Sequence, residues 1–142
     1  KIKNKKINYD FLNYIKNFKF TKNYFKHNAP IWYEIFKKNS LINKKINVLE
    51  IGTFEGMSFL YFNKYLDLKN LYCVDVTEHE NFKLNKEKFN NYKFFNSSSD
   101  DFFNKKLDIR FDIIYIISKR KPYPSTFGPS YITLYKWKSS NR

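Results

Sequence analysis

Apolar residues recur at helical spacing near the start of the chain. The positions that share this spacing are Ile7, Phe11, Ile15 and Phe18. Mostly polar residues, chiefly Lys and Asn, stand between them. The pattern therefore predicts an amphipathic helix over residues 7–19 whose apolar stripe faces a core.

A second helix is predicted a few residues later. Asn28 precedes an apolar stretch with Pro30 in its first turn, where the missing amide proton of proline costs nothing. An Asn in this position is able to cap a helix with its side chain. We therefore predict a helix to about residue 38 that begins after an Asn28 cap. Its predicted inward residues are Ile31, Ile35 and Phe36.

From residue 46 the pattern changes to short apolar runs separated by polar stretches. The runs predict four strands, at 46–51, 71–75, 92–95 and 111–117. The segments between them are predicted to be helical at 55–66, 80–90 and 100–106. Alternating strands and helices are typical of a parallel α/β sheet, whose right-handed crossovers place helices on both faces. The predicted fold is a Rossmann-like sheet with N-terminal helices.

The composition changes after Ile116. Residues 117–142 hold three of the four Pro and two of the three Arg, but no Asp or Glu. Within them, only residues 131–137 are compatible with a strand. We expect a sheet that is incomplete in its C-terminal half, a poorly ordered tail over 118–142, and a truncated or altered C-terminus.

The net charge of +14 raises nucleic acid as a partner, because Lys and Arg neutralise phosphates. Only three of the 27 basic residues are Arg, however, whereas recognition of bases and phosphates favours Arg. Lys, Asn, Ile, Phe and Tyr are all abundant and share AT-rich codons, so a genomic composition bias explains the lysines. A basic nucleic-acid-binding α/β protein is therefore the weakest functional hypothesis.

The single cysteine and the lengths of the apolar runs bear on cellular location. Cys73 has no partner for an intramolecular disulfide, and one Cys with two His gives no zinc-site spacing, so no metal is predicted. No apolar run approaches the roughly 20 residues of a membrane span. We expect a soluble, cytoplasmic protein with no membrane partner.

The turn from the first strand into the next helix carries the densest candidate chemistry. Its sequence is Glu50-Ile51-Gly52-Thr53-Phe54-Glu55-Gly56. Glycines let a ligand approach the backbone, and ligands bind at the carboxyl ends of parallel strands. The spacing lacks the Gly-x-Gly-x-x-Gly of dinucleotide enzymes, which disfavours a nicotinamide cofactor. A tight strand-to-helix turn is the alternative explanation for the glycines.

Two further polar features follow the next two strands. Asp75 ends the second strand, where a carboxylate can accept hydrogen bonds from the two hydroxyls of a ribose. The third strand is followed by short polar residues able to bond a purine edge, namely Asn96, Ser97, Ser98 and Ser99. Together with the glycine-containing turn, these residues predict a nucleoside-binding site.

At these residues the chain resembles the class I S-adenosylmethionine-dependent methyltransferases, most of all their small-molecule O-methyltransferase-like group. The resemblance covers roughly residues 20–116 and rests on three segments, Val48 to Ser58, Phe111 to Ile116 and His27 to Trp32. It implies S-adenosylmethionine as the cofactor and a small-molecule methyl acceptor as the partner. It also implies a helical lead-in over 1–45 and a cofactor-binding half over 46–117.

The resemblance further implies roles for individual residues. Glu50, Gly52 and Gly56 would line the methionine portion of the cofactor. Asp75 would hold the ribose, and Val76 would flank the adenine together with the polar turn after the third strand. The complete set of implied cofactor-binding residues is Glu50, Gly52, Thr53, Phe54, Gly56, Ser58, Asp75, Val76, Asn96, Ser97 and Ser98.

The chain departs from the family pattern after the fourth strand. Family members commonly continue with Asp-Gly-x-His, whose acid serves a metal ion or the reacting end of the substrate. Here the corresponding residues are Ile117, Ser118, Lys119 and Arg120. We therefore predict no catalytic residue, and a catalytically inactive cofactor-binding fragment is the alternative to an active methyltransferase.

Four other polar or reactive residues have simpler expectations. His79 follows the second strand on the cofactor side and is the better histidine candidate for a base, with a solvated loop position as the alternative. His27 is expected to belong to a helix cap. Asp112 starts the fourth strand, at the wrong end of the sheet, and is predicted to be structural. Cys73 is expected to be a buried, inert thiol.

Overall fold

The computed structural model describes residues 2–23, 25, 28–117 and 130–133. The helices in this part of the chain are α1 (Ile2–Ile15), α2 (Ala29–Lys38), α3 (Met57–Tyr65), α4 (Glu80–Lys86) and α5 (Ser99–Phe103). The strands are β1 (Lys45–Ile51), β2 (Asp67–Asp75), β3 (Tyr92–Asn96), β4 (Ile113–Ile117) and β5 (Ser130–Thr133). The predictions for His27, for 118–129 and for 134–142 lie outside the described residues.

The strands form one sheet in the order β3-β2-β1-β4-β5. The first four are parallel to one another, and β5 pairs antiparallel with β4. β1 lies between β2 and β4, and Val48 to Ile51 are all buried, as is typical of an interior parallel strand. The chain winds outward from β1 to β3 and then crosses back to β4 on the other side of β1. The winding direction therefore reverses between β1 and β4.

Helices cover both faces of this sheet. Ile46 and Val48 of β1 pack into the core beneath α1, α2 and α3. Leu49 and Ile51 contribute to the opposite face, which also contains Phe102 of α5. This alternation follows from the two-residue repeat of a strand. The predicted α/β, Rossmann-like class is confirmed.

Aromatic packing joins the N-terminal helices to the sheet. The ring centroids of Trp32 in α2 and Tyr115 in β4 are 4.5 Å apart. Phe25 lies edge-on to the same Trp32 ring at 4.7 Å, and the hydroxyl of Tyr61 in α3 donates to the Ala29 carbonyl at 2.6 Å. Edge-to-face pairs of this kind add to the stabilisation from burial. The Trp32 ring thus joins α2 to β4.

The first helix ends earlier than its apolar stripe predicts. α1 stops at Ile15, after which the Phe18 amide donates to the Ile15 carbonyl at 3.1 Å in a tight four-residue turn. Beyond the turn, Asn85 of α4 bonds both the amide and the carbonyl of Lys19. This long-range contact fixes a non-helical backbone where periodicity alone predicts helix. Phe18 still packs against the core.

The second helix has the predicted bounds but a different start and inward face. The Asn28 side chain makes no capping hydrogen bond and its backbone is already helical, so the predicted side-chain cap is wrong. Ile31 is 56% exposed, which also corrects its inward assignment. The buried residues are Ala29, Trp32 and Phe36. Their spacing of three and four places them on one helical face.

The search for membrane-spanning helices covered the described residues. No helix among them is both long enough and apolar enough to cross a bilayer.

In the tail, β5 occupies part of the 131–137 segment that the sequence predicts to be compatible with a strand.

Candidate functional site

The residues that join β1 to α3, 52–56, form a bend at the carboxyl edge of the sheet. Gly52, Phe54 and Gly56 all have positive φ angles, of 89°, 50° and 84°. The bend lies beside the point between β1 and β4 where the winding of the sheet reverses. Ligands of open α/β sheets bind at such switch points. The bend is therefore a candidate ligand-binding site.

Asp75 lies directly against this bend. Its Oδ2 atom accepts a hydrogen bond from the Phe54 amide at 2.8 Å, and its Oδ1 atom accepts a longer one of 3.4 Å from the Thr77 amide. The Asp75 side chain is half-buried rather than covered. The structure thus brings together the bend and the acid that the sequence separates by more than twenty residues.

The open sides of the two glycines face the protein itself. A Cβ atom on Gly52 would come within 2.6 Å of the Ile117 carbonyl oxygen of β4. A Cβ on Gly56 would come equally close, at 2.6 Å, to the Phe82 ring of α4. Both positions also have φ angles that side-chain-bearing residues rarely adopt. Internal packing is therefore sufficient to explain both glycines.

Glu50 is completely buried on the side of the sheet that α3 covers. Its Oε1 atom accepts a hydrogen bond from the Ser58 hydroxyl, and its Oε2 atom has no partner among the described residues. Burial raises the pKa of Glu50 to about 8, against the opposing effect of the Ser58 hydrogen bond. The nearby Thr53 hydroxyl is also buried without a hydrogen-bond partner in the described part of the chain. Glu50 and Ser58 thus lie together, but beneath the surface of the site.

The polar turn after β3 adjoins Asp75 through the backbone. The Ser97 amide donates to the Asp75 carbonyl at 2.9 Å, and the Asn96 side-chain amide donates to the Val76 carbonyl at 2.9 Å. Ser98 caps α5, because its hydroxyl accepts from the Asp101 amide at 3.1 Å. Val76 is 69% exposed beside them. Asp75, Val76, Asn96 and Ser97 therefore form one accessible edge.

His79 lies on the same side but is not arranged as a base. Its Nδ1 atom accepts a hydrogen bond from the Asn81 amide at 3.3 Å, which caps α4. A Glu55 carboxylate oxygen lies 4.0 Å from the same Nδ1 atom. The ring packs on Phe54 of the bend, with centroids 4.8 Å apart. The imidazole therefore forms a wall of the site.

Glu55 is the polar residue of the bend that sequence reasoning passed over. Its buried carboxylate accepts from the Thr21 amide at 3.0 Å and the Thr21 hydroxyl at 2.6 Å. It also accepts from the Lys22 amide at 3.3 Å and the Asn81 side chain at 2.9 Å. Burial pushes the pKa of Glu55 upward, but these hydrogen bonds outweigh burial and lower it. Glu55 is therefore held as an anion.

Asn85 of α4 completes this arrangement. Its side chain is buried, donates to the Glu55 carbonyl at 2.9 Å and forms the pair of bonds to Lys19 described above. We call Glu55 and Asn85 the clamp, because they fasten the connection 19–22 to the bend. One sequence signal for it exists: Asn85 interrupts an apolar helical stripe between Phe82 and Phe89.

Asp112 and Cys73 lie where the sequence predicts. The Asp112 carboxylate accepts from the Asn47 amide at 3.0 Å and pairs with exposed Lys44 at the amino end of the sheet, which is a structural role. Cys73 is buried, and burial raises the pKa of its thiol. Among the described residues, no group of three or more His, Cys, Asp or Glu side chains is arranged to hold a metal ion.

Comparisons with known proteins add little to this picture. No protein-family profile matches the chain, and no curated protein matches it. Among solved structures, the YcgJ protein from Bacillus subtilis is similar, with 22% sequence identity and a TM-score of 0.43. The match covers 59% of this chain and 36% of YcgJ. The functional assignment has to come from the site itself.

Proposed function

We propose that this chain binds S-adenosylmethionine along the carboxyl edge of β1, β2 and β3, as the cofactor-binding half of a methyltransferase for a small-molecule acceptor. The observation that carries the proposal is Asp75. This half-buried carboxylate lies at the end of β2 and touches the bend beside the switch point. A carboxylate so placed is suited to accept hydrogen bonds from ribose hydroxyls.

The surroundings of Asp75 support an adenosine group. Exposed Val76 offers an apolar surface to a base, and the Asn96 amide lies next to it. At the other end, the Oε2 atom of Glu50 is buried with no hydrogen-bond partner among the described residues, and the ionised carboxylate would accept from the ammonium group of a methionine moiety. Glu50 is fully buried whereas Val76 is 69% exposed, so the adenosine end is the more accessible one.

The chain's own residues would act by holding and orienting the bound molecules. When bound, S-adenosylmethionine supplies a methyl group on a positively charged sulfur. Asp75 would fix the ribose, and the bend would fix the distance between the sugar and the start of α3. Alignment of nucleophile and methyl group is the main requirement of such a transfer. The described residues offer no positioned base at the bend, since the Glu55 carboxylate is occupied by its donors and the Nδ1 atom of His79 is occupied by its cap on α4.

A binding domain that performs no transfer is the second candidate. Two observations favour it: Glu50 is covered, and the glycine faces are filled by Ile117 and Phe82. Both candidates share the Asp75 site and differ only in turnover. Release of S-adenosylhomocysteine in the presence of an acceptor would separate them.

Calorimetric titration with S-adenosylhomocysteine tests the proposed site. We expect Asp75→Ala to weaken binding by about 10- to 100-fold, because hydrogen bonds to a charged group are lost. Asp75→Asn keeps an acceptor for the Phe54 amide and should weaken binding less. Asp67→Ala is the matched control, since Asp67 is an exposed Asp at the opposite end of the same strand.

Two outcomes would overturn the assignment. One is the absence of S-adenosylhomocysteine and S-adenosylmethionine binding to the unaltered chain at millimolar concentration. The other is equal affinity of the Asp75→Ala and Asp67→Ala variants. Circular dichroism of each variant would show that the fold is retained, so that a loss of affinity reports on the site.

A further inference from the structure

A groove lies beside the bend, between the end of α1 and the connection that follows it. Its volume is about 490 Å³, which is within the range of small-molecule sites. The residues that give it apolar surface are Leu12, Ile15, Phe18, Phe20 and Met57. Met57 is the first residue of α3, directly after Gly56 of the bend. The groove therefore reaches the residue that directly follows the bend.

The clamp fixes one wall of this groove to the bend. Thr21 and Lys22 line the groove, and both donate backbone hydrogen bonds to the Glu55 carboxylate. Asn85 holds Lys19 just before them through two bonds of 2.8 Å. A network of satisfied buried polar groups is rigid, because breaking any member leaves another without a partner. A molecule in the groove is thus held at a fixed position relative to the bend.

The charges at the groove select the kind of molecule. The two ionisable side chains that line it among the described residues are Lys16 and Lys22, both exposed and both cationic. Glu55, the nearest acid, has its charge taken up by its own donors. An apolar floor beside two cations complements an apolar molecule with one anionic group.

We propose that this groove binds an apolar small molecule that carries a carboxylate, and that this molecule is the methyl acceptor. The role as acceptor rests on the proposed function, whereas the binding of the carboxylate does not. The apolar part lies on Leu12, Ile15 and Met57. The carboxylate lies toward Lys16 and Lys22.

Fluorescence titration of the full chain with 2-naphthoate, and with the uncharged 2-naphthamide as its shape match, tests the proposal. We expect the carboxylate to bind about tenfold more tightly than the amide, since two exposed charge pairs contribute about 1 kcal/mol or somewhat more. The Lys16→Glu plus Lys22→Glu variant should remove this preference. Its matched control is Lys5→Glu plus Lys69→Glu, an equal change of net charge at exposed lysines away from the groove.

Three results would overturn the groove assignment. These are no binding of 2-naphthoate at millimolar concentration, equal affinities for acid and amide, or equal losses in the two double variants. The last would show attraction by net charge alone. The Asp75→Ala variant keeps the outcomes separate: we expect it to bind 2-naphthoate normally. If the unaltered chain does not bind S-adenosylhomocysteine but keeps its preference for 2-naphthoate, only the proposed function is contradicted.

Discussion

The surroundings of Glu50 and Glu55 differ sharply, although the two residues are five positions apart and almost fully buried, with 0% and 1% exposure. Within the described part of the chain, Glu50 accepts a hydrogen bond from the Ser58 hydroxyl through Oε1, and its Oε2 atom has no hydrogen-bond partner. Glu55 accepts hydrogen bonds from Thr21, in the connection after α1, and from Asn81 of α4. Burial raises the pKa of Glu50 to about 8, whereas the donors around Glu55 lower its pKa. At Glu50 burial is the larger effect and keeps the carboxyl protonated at neutral pH, whereas at Glu55 the combined donors outweigh burial and keep the carboxylate charged.

The largest expected effect is on the pH dependence of stability through Glu50. Its pKa is about 8 in the folded chain and 4.5 ordinarily, so the folded state retains a proton that the unfolded state has lost. The stability from this proton is complete below pH 4.5 and is lost as the pH rises toward 8. Glu50→Gln removes that loss. Between pH 4.5 and pH 8, we expect the free energy of unfolding of the unaltered chain to fall by about 4 kcal/mol relative to that of the variant.

Urea unfolding at several pH values measures this difference. Glu80→Gln is the matched control, because Glu80 is 82% exposed in its side chain. We expect its stability profile to run parallel to that of the unaltered chain. A parallel profile for Glu50→Gln would mean that Glu50 is ionised in the folded state, and that its contrast with Glu55 is wrong.

A somewhat smaller effect is expected on removal of the Glu55 carboxylate. Glu55→Ala leaves the Thr21 and Asn81 donors without their acceptor and should lower the free energy of unfolding by about 3 kcal/mol. Glu55→Gln keeps one acceptor oxygen and should cost about half as much. Urea unfolding at pH 7 gives both values. A cost below about 1 kcal/mol for the alanine variant would show that the clamp does not hold the connection.

The smallest expected effect concerns the single donor of Glu50. Ser58→Ala removes the hydrogen bond to Oε1 and should lower the free energy of unfolding by about 1 kcal/mol at pH 6. The cost should increase as the pH approaches 8, because the ionised carboxylate needs the donor more. Thermal unfolding at pH 6 and pH 8 would measure this cost, with Ser99→Ala as the control because Ser99 is exposed. Equal melting temperatures of the two variants at both pH values would contradict the prediction.

Sequence pattern predicts the sheet well because its strands are locally encoded. Val48, Leu49 and Ile51 place apolar side chains on both faces of β1, which is typical of a central parallel strand. β2 nevertheless begins at Asp67, four residues before the apolar run, because Lys45 and Ile46 of β1 extend the pairing. Local patterns give the existence of a strand, and its neighbour sets the length.

The site is less accessible to such reasoning, because its contacts are between distant residues. The spacing of Asp75 from the bend is predictable from strand ends, and the structure places the two together. The clamp joins Glu55 to Thr21 and Asn85 to Lys19, and no periodicity connects these positions. The same contact overrides the helical pattern at residues 16–19. Contacts between side chains of separate elements are thus the part of the site that sequence pattern does not predict.

The central position of β1 has a consequence for synthesis of the chain. β2 follows β1 after a short helix, but β4 follows only about sixty residues later. At the roughly 5–20 residues per second of translation, one edge of an apolar strand waits several seconds for its partner. During that time the nascent chain presents an unpaired backbone edge to the cell. The yield of folded protein should therefore depend on chaperones that bind partly formed sheets at the ribosome.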